Sequence, residues 1–138
     1  MAGYSGTPLP QKLGLAKLST AEGAAIAFIN APPEVMKELR INKDAGSGKR
    51  LDFVLLFVKS NSDLRKKFPA LAKKLAPAGM VWVAWPKKSS GIVSDLTENV
   101  IRDFGLKNGL VDVKVCAITE VWSGLKFVIR LKDRGQPA

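Results

Sequence analysis

No histidine occurs in this chain, and cysteine occurs once, at Cys116. Ser-His-Asp and Cys-His catalysis need an imidazole as general base, and a structural zinc site needs about four ligands drawn mainly from those two residue types. Both chemistries are excluded, and so is an intrachain disulfide. Cys116 stands in Val113-Lys114-Val115-Cys116 and reads as a small hydrophobe of a strand, not as a nucleophile. Long apolar runs are missing as well: Phe53 to Val58 and Met80 to Trp85 fall far short of the roughly 20 residues that span a bilayer. The opening Met1-Ala2-Gly3-Tyr4-Ser5-Gly6 has no basic start followed by an apolar stretch, so a cytoplasmic protein without membrane contact is expected.

Carboxylates are in short supply. Twelve Asp and Glu stand against 22 Lys and Arg, a formal net charge of +10, and Leu64 to Ser94 holds seven Lys or Arg with no acid at all. Such a surface favours anionic partners, either a phosphate-bearing small molecule or nucleic acid along Arg65 to Lys88, although charge speaks to association and not to fold. The aromatics that would stack single-stranded bases fall mostly in strand-like, buried-looking runs.

What is present suffices for one core: 138 residues with 46% apolar content predict a single domain, 1–138, opened by an irregular arm over 1–23. Within that arm Leu13 to Leu18 suggests a short apolar turn packed over the core. Ala25-Ile26-Ala27-Phe28-Ile29 reads as a buried strand closed by Asn30-Ala31-Pro32-Pro33, and Pro33 can open a short helix through Arg40. Asn42 to Arg50 reads as a flexible polar connection. Leu51 to Val58 is apolar on both faces, the mark of a strand covered on two sides in a parallel sheet.

Asn61 or Ser62 is expected to cap the next helix, whose apolar positions Leu64, Phe68, Leu71, Ala72 and Leu75 follow helical spacing, with a kink or break near Pro69. Ala76-Pro77-Ala78-Gly79 should end it before a strand over Met80 to Trp85. Asp95 and Glu98 have capping-box spacing and predict a helix from about Leu96 to Asn108, weakened by Gly105. Val111 to Ile118 and Leu125 to Leu131 then pair as an antiparallel hairpin.

Alternating strands and helices with a terminal hairpin predict a three-layer, Rossmann-like α/β fold of about five strands, mostly parallel, in the order first, second, third, fifth, fourth. The first strand is then an edge, to be covered by the N-terminal arm or by a second copy in a homodimer. Leu75-Ala76-Pro77-Ala78-Gly79-Met80-Val81-Trp82-Val83 resembles the helix-to-fifth-strand turn of class I methyltransferases, and the hairpin resembles their last two strands. The whole chain also resembles an uncharacterised bacterial domain-of-unknown-function family through Ala2 to Pro10, Asn30 to Pro33, Trp85-Pro86-Lys87-Lys88 and Trp122-Ser123-Gly124-Leu125-Lys126; that family implies a fold but no activity.

A methyltransferase needs glycines after its first strand so that backbone can approach the cofactor. Here two prolines occupy that approach and remove two N–H donors, and no second strand offers a ribose-binding carboxylate, so no cofactor is expected. Open parallel sheets bind ligands beyond the C-terminal strand ends. Asn30, Ser60, Trp85, Lys87, Lys88, Ser89, Ser90, Glu120, Trp122 and Ser123 are therefore the candidate ligand-binding residues, with no catalytic or metal-ligating residue among them. Asp95 is expected to cap its helix and Glu120 to pair with Lys114 or Lys126. The expected function is a non-catalytic module that accepts an anionic ligand or partner at the Lys87-Lys88 loop. The alternatives are a small-molecule enzyme or degenerate methyltransferase using an unorthodox pocket, and a nucleic-acid-binding protein.

Overall fold

The computed structural model describes residues 8–15, 25–39 and 50–133. Five strands, β1 (Ile26–Ile29), β2 (Leu51–Phe57), β3 (Leu75–Pro86), β4 (Leu110–Ala117) and β5 (Trp122–Ile129), form one sheet in the order β1-β2-β3-β5-β4. β1, β2 and β3 are parallel, and β5 runs antiparallel to both β3 and β4. The fold class and strand order are those the sequence predicts.

β2 shows why the sheet has helices on both sides. Val54 and Leu56 enter one core with Leu64 and Phe68 of α3 (Asn61–Lys74) and Ile101 of α4 (Glu98–Lys107). Phe53, Leu55 and Phe57 enter a second core with Leu9 and Leu13 of α1 (Leu9–Leu13) and Val35 and Leu39 of α2 (Pro33–Leu39). A strand without a solvated face has to be apolar at every position, which is what Phe53 to Val58 supplies. Aromatic edges knit the α3/α4 side: the Phe68 ring lies 5.8 Å from Phe104 and 5.5 Å from Phe127.

The arm is more ordered than expected over its described part. Leu9–Leu13 is helical and ends at Gly14, whose φ of 78° is the left-handed conformation a glycine adopts without strain. Leu9, Leu13 and Leu15 are buried, each contributing about 1.5–3 kcal/mol of apolar burial. Trp82 Nε1 donates to the Leu13 carbonyl (2.9 Å) and Lys12 Nζ to the Ala117 carbonyl (2.7 Å), so α1 straps the face of the sheet. The rest of the expected Leu13–Leu18 turn, the polar connection over 42–49 and the question of a strand between α2 and β2 lie outside the described residues.

Local differences have local causes. The α3 N-cap is Ser60, not Asn61 or Ser62: its hydroxyl accepts from Asp63 N (3.1 Å). The helix runs unbroken through Pro69, because Leu64, Phe68, Leu71 and Ala72 on either side of it pack against the same core and hold both turns in line. Asp95 does not cap α4. Thr97 does, accepting from Val100 N (3.2 Å), while Asp95 Oδ1 accepts from Asn61 N (2.8 Å) and ties the β3–α4 loop to the start of α3. β3 begins at Leu75 and takes in Ala76 to Gly79 as an irregularity in its pairing with β2. A Cβ at Gly79 would come within 2.6 Å of the Leu51 carbonyl oxygen, which explains the glycine. The hairpin turn spans 118–121, earlier than expected, because the Thr119 hydroxyl accepts from Val121 N and Trp122 N (3.1 and 3.2 Å) and starts β5 at Trp122.

Candidate functional site

A cleft of about 490 Å³ opens beyond the C-terminal ends of β1 and β2, lined by Asn30, Ala31, Pro32, Pro33, Phe57, Lys59, Asp63 and Trp122. Its size lies within the 300–1,000 Å³ range of small-molecule sites, and its place is where open α/β sheets bind ligands. The lining comes from three parts of the chain: the β1–α2 connection, the end of β2 with the start of α3, and the start of β5. Phe57 ends β2 and Trp122 begins β5, and because β5 is antiparallel the two meet at the same edge. Their rings lie 5.0 Å apart, edge to face, and form a largely buried apolar floor.

The wall from β1 is stiff. Ala31 and Pro32 both precede prolines, which biases them toward extended backbone. The change of direction falls on Asn30, which sits at φ 59°, the left-handed region that asparagine tolerates better than most residues. Val35 N and Met36 N, first-turn donors of α2, both bond to the Pro32 carbonyl (3.0 and 3.2 Å).

The opposite wall carries charge. Lys59 follows β2 and Asp63 lies in the first turn of α3. Asp63 is the third helical residue after Ser60, the position from which an acid closes a capping box by reaching back to the cap's N–H. Only half of that box exists: the Ser60 hydroxyl accepts from Asp63 N, and the Asp63 carboxylate makes no return bond. Among the described residues neither Asp63 nor Lys59 has an ion pair or side-chain hydrogen bond.

Of the residues proposed from sequence, the structure places Asn30 and Trp122 in this cleft. Ser60 is beside it, committed to the α3 cap. Trp85 is buried in the core on the α3/α4 side, the face opposite Trp122, so the two indoles do not form a common wall. Lys87 to Ser90 form a 3₁₀ turn outside the cleft lining, in which the Ser90 hydroxyl donates to the Lys87 carbonyl (2.6 Å) and accepts from Ile92 N (3.1 Å). Ser123 is a β5 residue paired with Trp85 and Ala117, and Glu120 is exposed on the turn with no ion pair among the described residues. Lys114 faces Lys126 across the hairpin instead of a carboxylate, and burial, then Lys114, pushes the Lys126 pKa down. Cys116 is half-buried; burial raises its thiol pKa against the opposing pull of Lys12 and Lys114. Asp112 pairs with Arg102 (2.8 Å), which also bonds Glu98, and these two contacts raise the arginine pKa.

Ala31, Pro32, Pro33, Phe57 and Asp63 complete the cleft without appearing among the proposed residues, and Lys59, next to the proposed Ser60 and expected at the same edge, completes it with them. The signal available for Asp63 was the Ser60-x-x-Asp63 spacing, which would have moved both the cap and the acid to this edge.

No protein-family model matches the chain, and no curated protein matches it. Solved structures do. LepI in complex with S-adenosylmethionine shares the fold with a TM-score of 0.57 at 12% identity, over 90% of this chain and 47% of LepI. A LepI variant with S-adenosylhomocysteine and a substrate analogue aligns equally well. The Methanococcus jannaschii fibrillarin pre-rRNA processing protein aligns with a TM-score of 0.52 at 12% identity, over 92% of this chain and 70% of that one. The fold is therefore a methyltransferase-like Rossmann fold, and the chain spans about half the length of the LepI structures it matches (47%).

These neighbours correct the expectation of a non-catalytic module for an anionic ligand. The scaffold is one that carries S-adenosylmethionine in LepI, and the cleft lies at the C-terminal edge of the sheet with Lys87 and Lys88 outside its lining, although Lys87 N donates to the Val121 carbonyl (2.8 Å) beside Trp122. The loop after β1 does not offer such a ligand the backbone donors of a glycine-rich turn. Pro32 and Pro33 supply no N–H, and the Val35 and Met36 donors are committed to Pro32.

Proposed function

We propose that the chain is a small-molecule enzyme built on the methyltransferase fold, working in a cleft whose polar groups come from the β2–α3 side instead of the β1 loop. The observation that carries this reading is the pair of unpartnered charges, Lys59 and Asp63, set over an aromatic floor at the C-terminal edge of the sheet. Active sites concentrate titratable groups in concave, partly apolar surroundings, and a carboxylate that gives up a helix cap to face a cleft is a group kept for another partner. Phe57 and Trp122 exclude water below the bound molecule, and the proline wall fixes its position without rearrangement.

The likeness of the motifs to a bacterial family of unknown function, and a cytoplasmic location, belong to the same proposal. No described helix is long and apolar enough to cross a membrane. The test is a thermal-shift screen of a metabolite panel that includes S-adenosylmethionine and S-adenosylhomocysteine, followed by product analysis of each hit. A hit at 100 times its Kd should add about 2.7 kcal/mol of stability. Ala31→Trp, which fills the cleft, should abolish both the shift and turnover. Ligands that bind Ala31→Trp as well as the parent protein would remove the cleft from the account.

A further inference from the structure

β4 is the last strand of the sheet: β5 pairs with one side of it, and among the described residues no strand pairs with the other. An edge of this kind holds unpaired backbone N–H and C=O groups, a template for one more strand. Two features of β4 restrict what can join it. Its pairing with β5 slips by one residue at Val113, between the Asp112–Phe127 and Lys114–Lys126 pairs, the mark of a bulge. The slip sends the two neighbouring charges to opposite faces. Asp112 stands with Phe127 on the α3/α4 side and pairs with Arg102 of α4. Lys114 lies directly across from Lys126, which pairs in turn with Trp82 of the α1/α2 core.

Two lysines therefore stand side by side on the α1/α2 face of the hairpin. Like charges directly opposite each other destabilise a sheet. Among the described residues neither lysine has an ion pair or a side-chain hydrogen bond, and Lys114 is exposed while Lys126 is half-buried. On the other face Val115, across from the buried Leu125, is 49% exposed. Successive positions of the edge thus call for different neighbours, a carboxylate beside Lys114 and an apolar side chain beside Val115. A second copy of the chain meets the backbone requirement and fails the electrostatic one. Two β4 strands paired beyond the bulge would gather both Lys114–Lys126 pairs on one face, with each Asp112 on the other face and already held by Arg102.

We propose that the β4 edge takes up an extended acidic segment of a partner protein as an added strand, with a carboxylate of that segment beside Lys114 and an apolar residue beside Val115. The bulge and the lysines keep neutral strands and further copies away, and the acid admits the matching one. Main-chain bonds supply affinity and the alternation of side chains supplies selectivity. This surface goes beyond the enzyme reading and does not depend on it, since β4 contributes no residue to the cleft lining.

The experiment is fluorescence anisotropy of the full chain with a labelled peptide of alternating valine and glutamate. A peptide with lysine in place of glutamate should bind roughly tenfold more weakly, and so should one with the same composition in blocks, valines together and glutamates together. Lys114→Glu should weaken the glutamate peptide and strengthen the lysine peptide. That variant sets a carboxylate across from Lys126, so its melting temperature should equal or exceed that of the parent, which separates lost recognition from lost folding. Methylation of the peptide nitrogens at every second residue tests the backbone bonds. One phasing faces β4 and should abolish binding; the other faces solvent and should leave it unchanged.

Equal binding of the alternating and block peptides, or equal effects of the two methylation phasings, would reduce the attraction to unspecific charge and overturn the proposal. So would an absence of peptide binding up to about 1 mM. A dimer of the chain alone that the peptide dissociates, seen by sedimentation equilibrium, would give the edge to a second copy. Oligonucleotide binding that needs Lys114, with no peptide binding, would give the lysines to phosphate. Either result also overturns it.

Discussion

Gly105 lies in the last turn of α4, where glycine costs a helix at most about 1 kcal/mol relative to alanine. Propensity alone therefore predicts that Gly105→Ala stabilises the protein by that amount. The packing predicts the opposite. A Cβ at this position would lie 2.1 Å from Cε1, 2.5 Å from Cζ and 2.7 Å from Cδ1 of Phe127. The ring cannot easily retreat, being fully buried on β5 and held edge-on by Phe68 at 5.5 Å. Overpacking costs roughly 1–3 kcal/mol, and an approach of 2.1 Å puts this site at the upper end, so after the propensity gain the net effect should be a loss of about 1–2 kcal/mol. With about 2.1 cal/mol/K of unfolding entropy per residue, that is a fall in Tm of roughly 3–7 °C. Thermal melts of Gly105→Ala, Phe127→Leu and the double variant provide the decisive cycle. The alanine should cost stability beside the native Phe127 ring and cost little, or help, in the Phe127→Leu background. A higher Tm for Gly105→Ala alone, or the same penalty in both backgrounds, would show that the α4–β5 contact is not as close as described.

Ser60→Ala should cost about 1 kcal/mol in denaturant unfolding, whereas Ser62→Ala, two positions on and exposed, should stay within about 0.5 kcal/mol; the reverse ranking would place the α3 cap elsewhere. Lys126 is held below the ordinary lysine pKa, so the unfolded chain binds more protons between the folded and the ordinary value, and the cost of the charged form is present at neutral pH and fades as pH rises through that window. Lys126→Met should therefore raise Tm near pH 7 by an increment that shrinks toward the ordinary lysine range; an increment that grows with pH would contradict the assigned direction. Lys73 and Lys74 precede β3 and Lys87 follows it, and with the irregularity between Leu75 and Met80 the strand separates them by roughly 25 Å, which splits the basic run between two ends of the sheet. Removing either pair, Lys73-Lys74 or Lys87-Lys88, should lower the salt needed to elute the protein from immobilised nucleic acid by similar, small amounts, and abolition of binding by one pair alone would point to a localised nucleic-acid site.

The fold was legible because its strongest signals are ones that tertiary context does not reverse. Apolar residues at every position of Phe53 to Val58 can be satisfied only between two layers, and the hairpin after α4 fixes the antiparallel end. Strand order followed from those two features and right-handed crossovers. Caps were less legible, since Ser60, Asn61, Ser62 and Asp63 offer several capping pairs and only the packing of Leu64 and Phe68 selects one register. Asp95 illustrates the same limit, for its partner, Asn61, is 34 residues away in the chain. The candidate cleft was legible in position, at the C-terminal strand ends, and in part of its lining, Asn30, Lys59 and Trp122, but not in Phe57, Asp63 or the prolines. Lysines beside serines and glycine in Lys87 to Gly91 look like an anion cradle in one dimension, but the hydrogen bonds of Ser90 close that turn on itself. Asp63, by contrast, looks like half of a cap, yet its carboxylate makes no bond back to Ser60.

Asn30 joins the steric and chemical sides of the cleft, and the two can be separated. Because Ala31 and Pro32 are confined by the prolines that follow them, the turn out of β1 falls on Asn30 at φ 59°. That conformation costs alanine about 1–2 kcal/mol and glycine almost nothing, so Asn30→Ala should be destabilised and Asn30→Gly should melt close to the parent. The exposed carboxamide is lost in both. If it helps hold the bound molecule, a cleft ligand found by the thermal-shift screen should bind both variants more weakly, and by a similar factor once their different stabilities are taken into account. Undiminished binding by Asn30→Gly would assign Asn30 to the turn alone, a backbone role imposed by Pro32 and Pro33. Asn30→Ala and Asn30→Gly melting together would mean that the left-handed turn is not what the residue is there to provide.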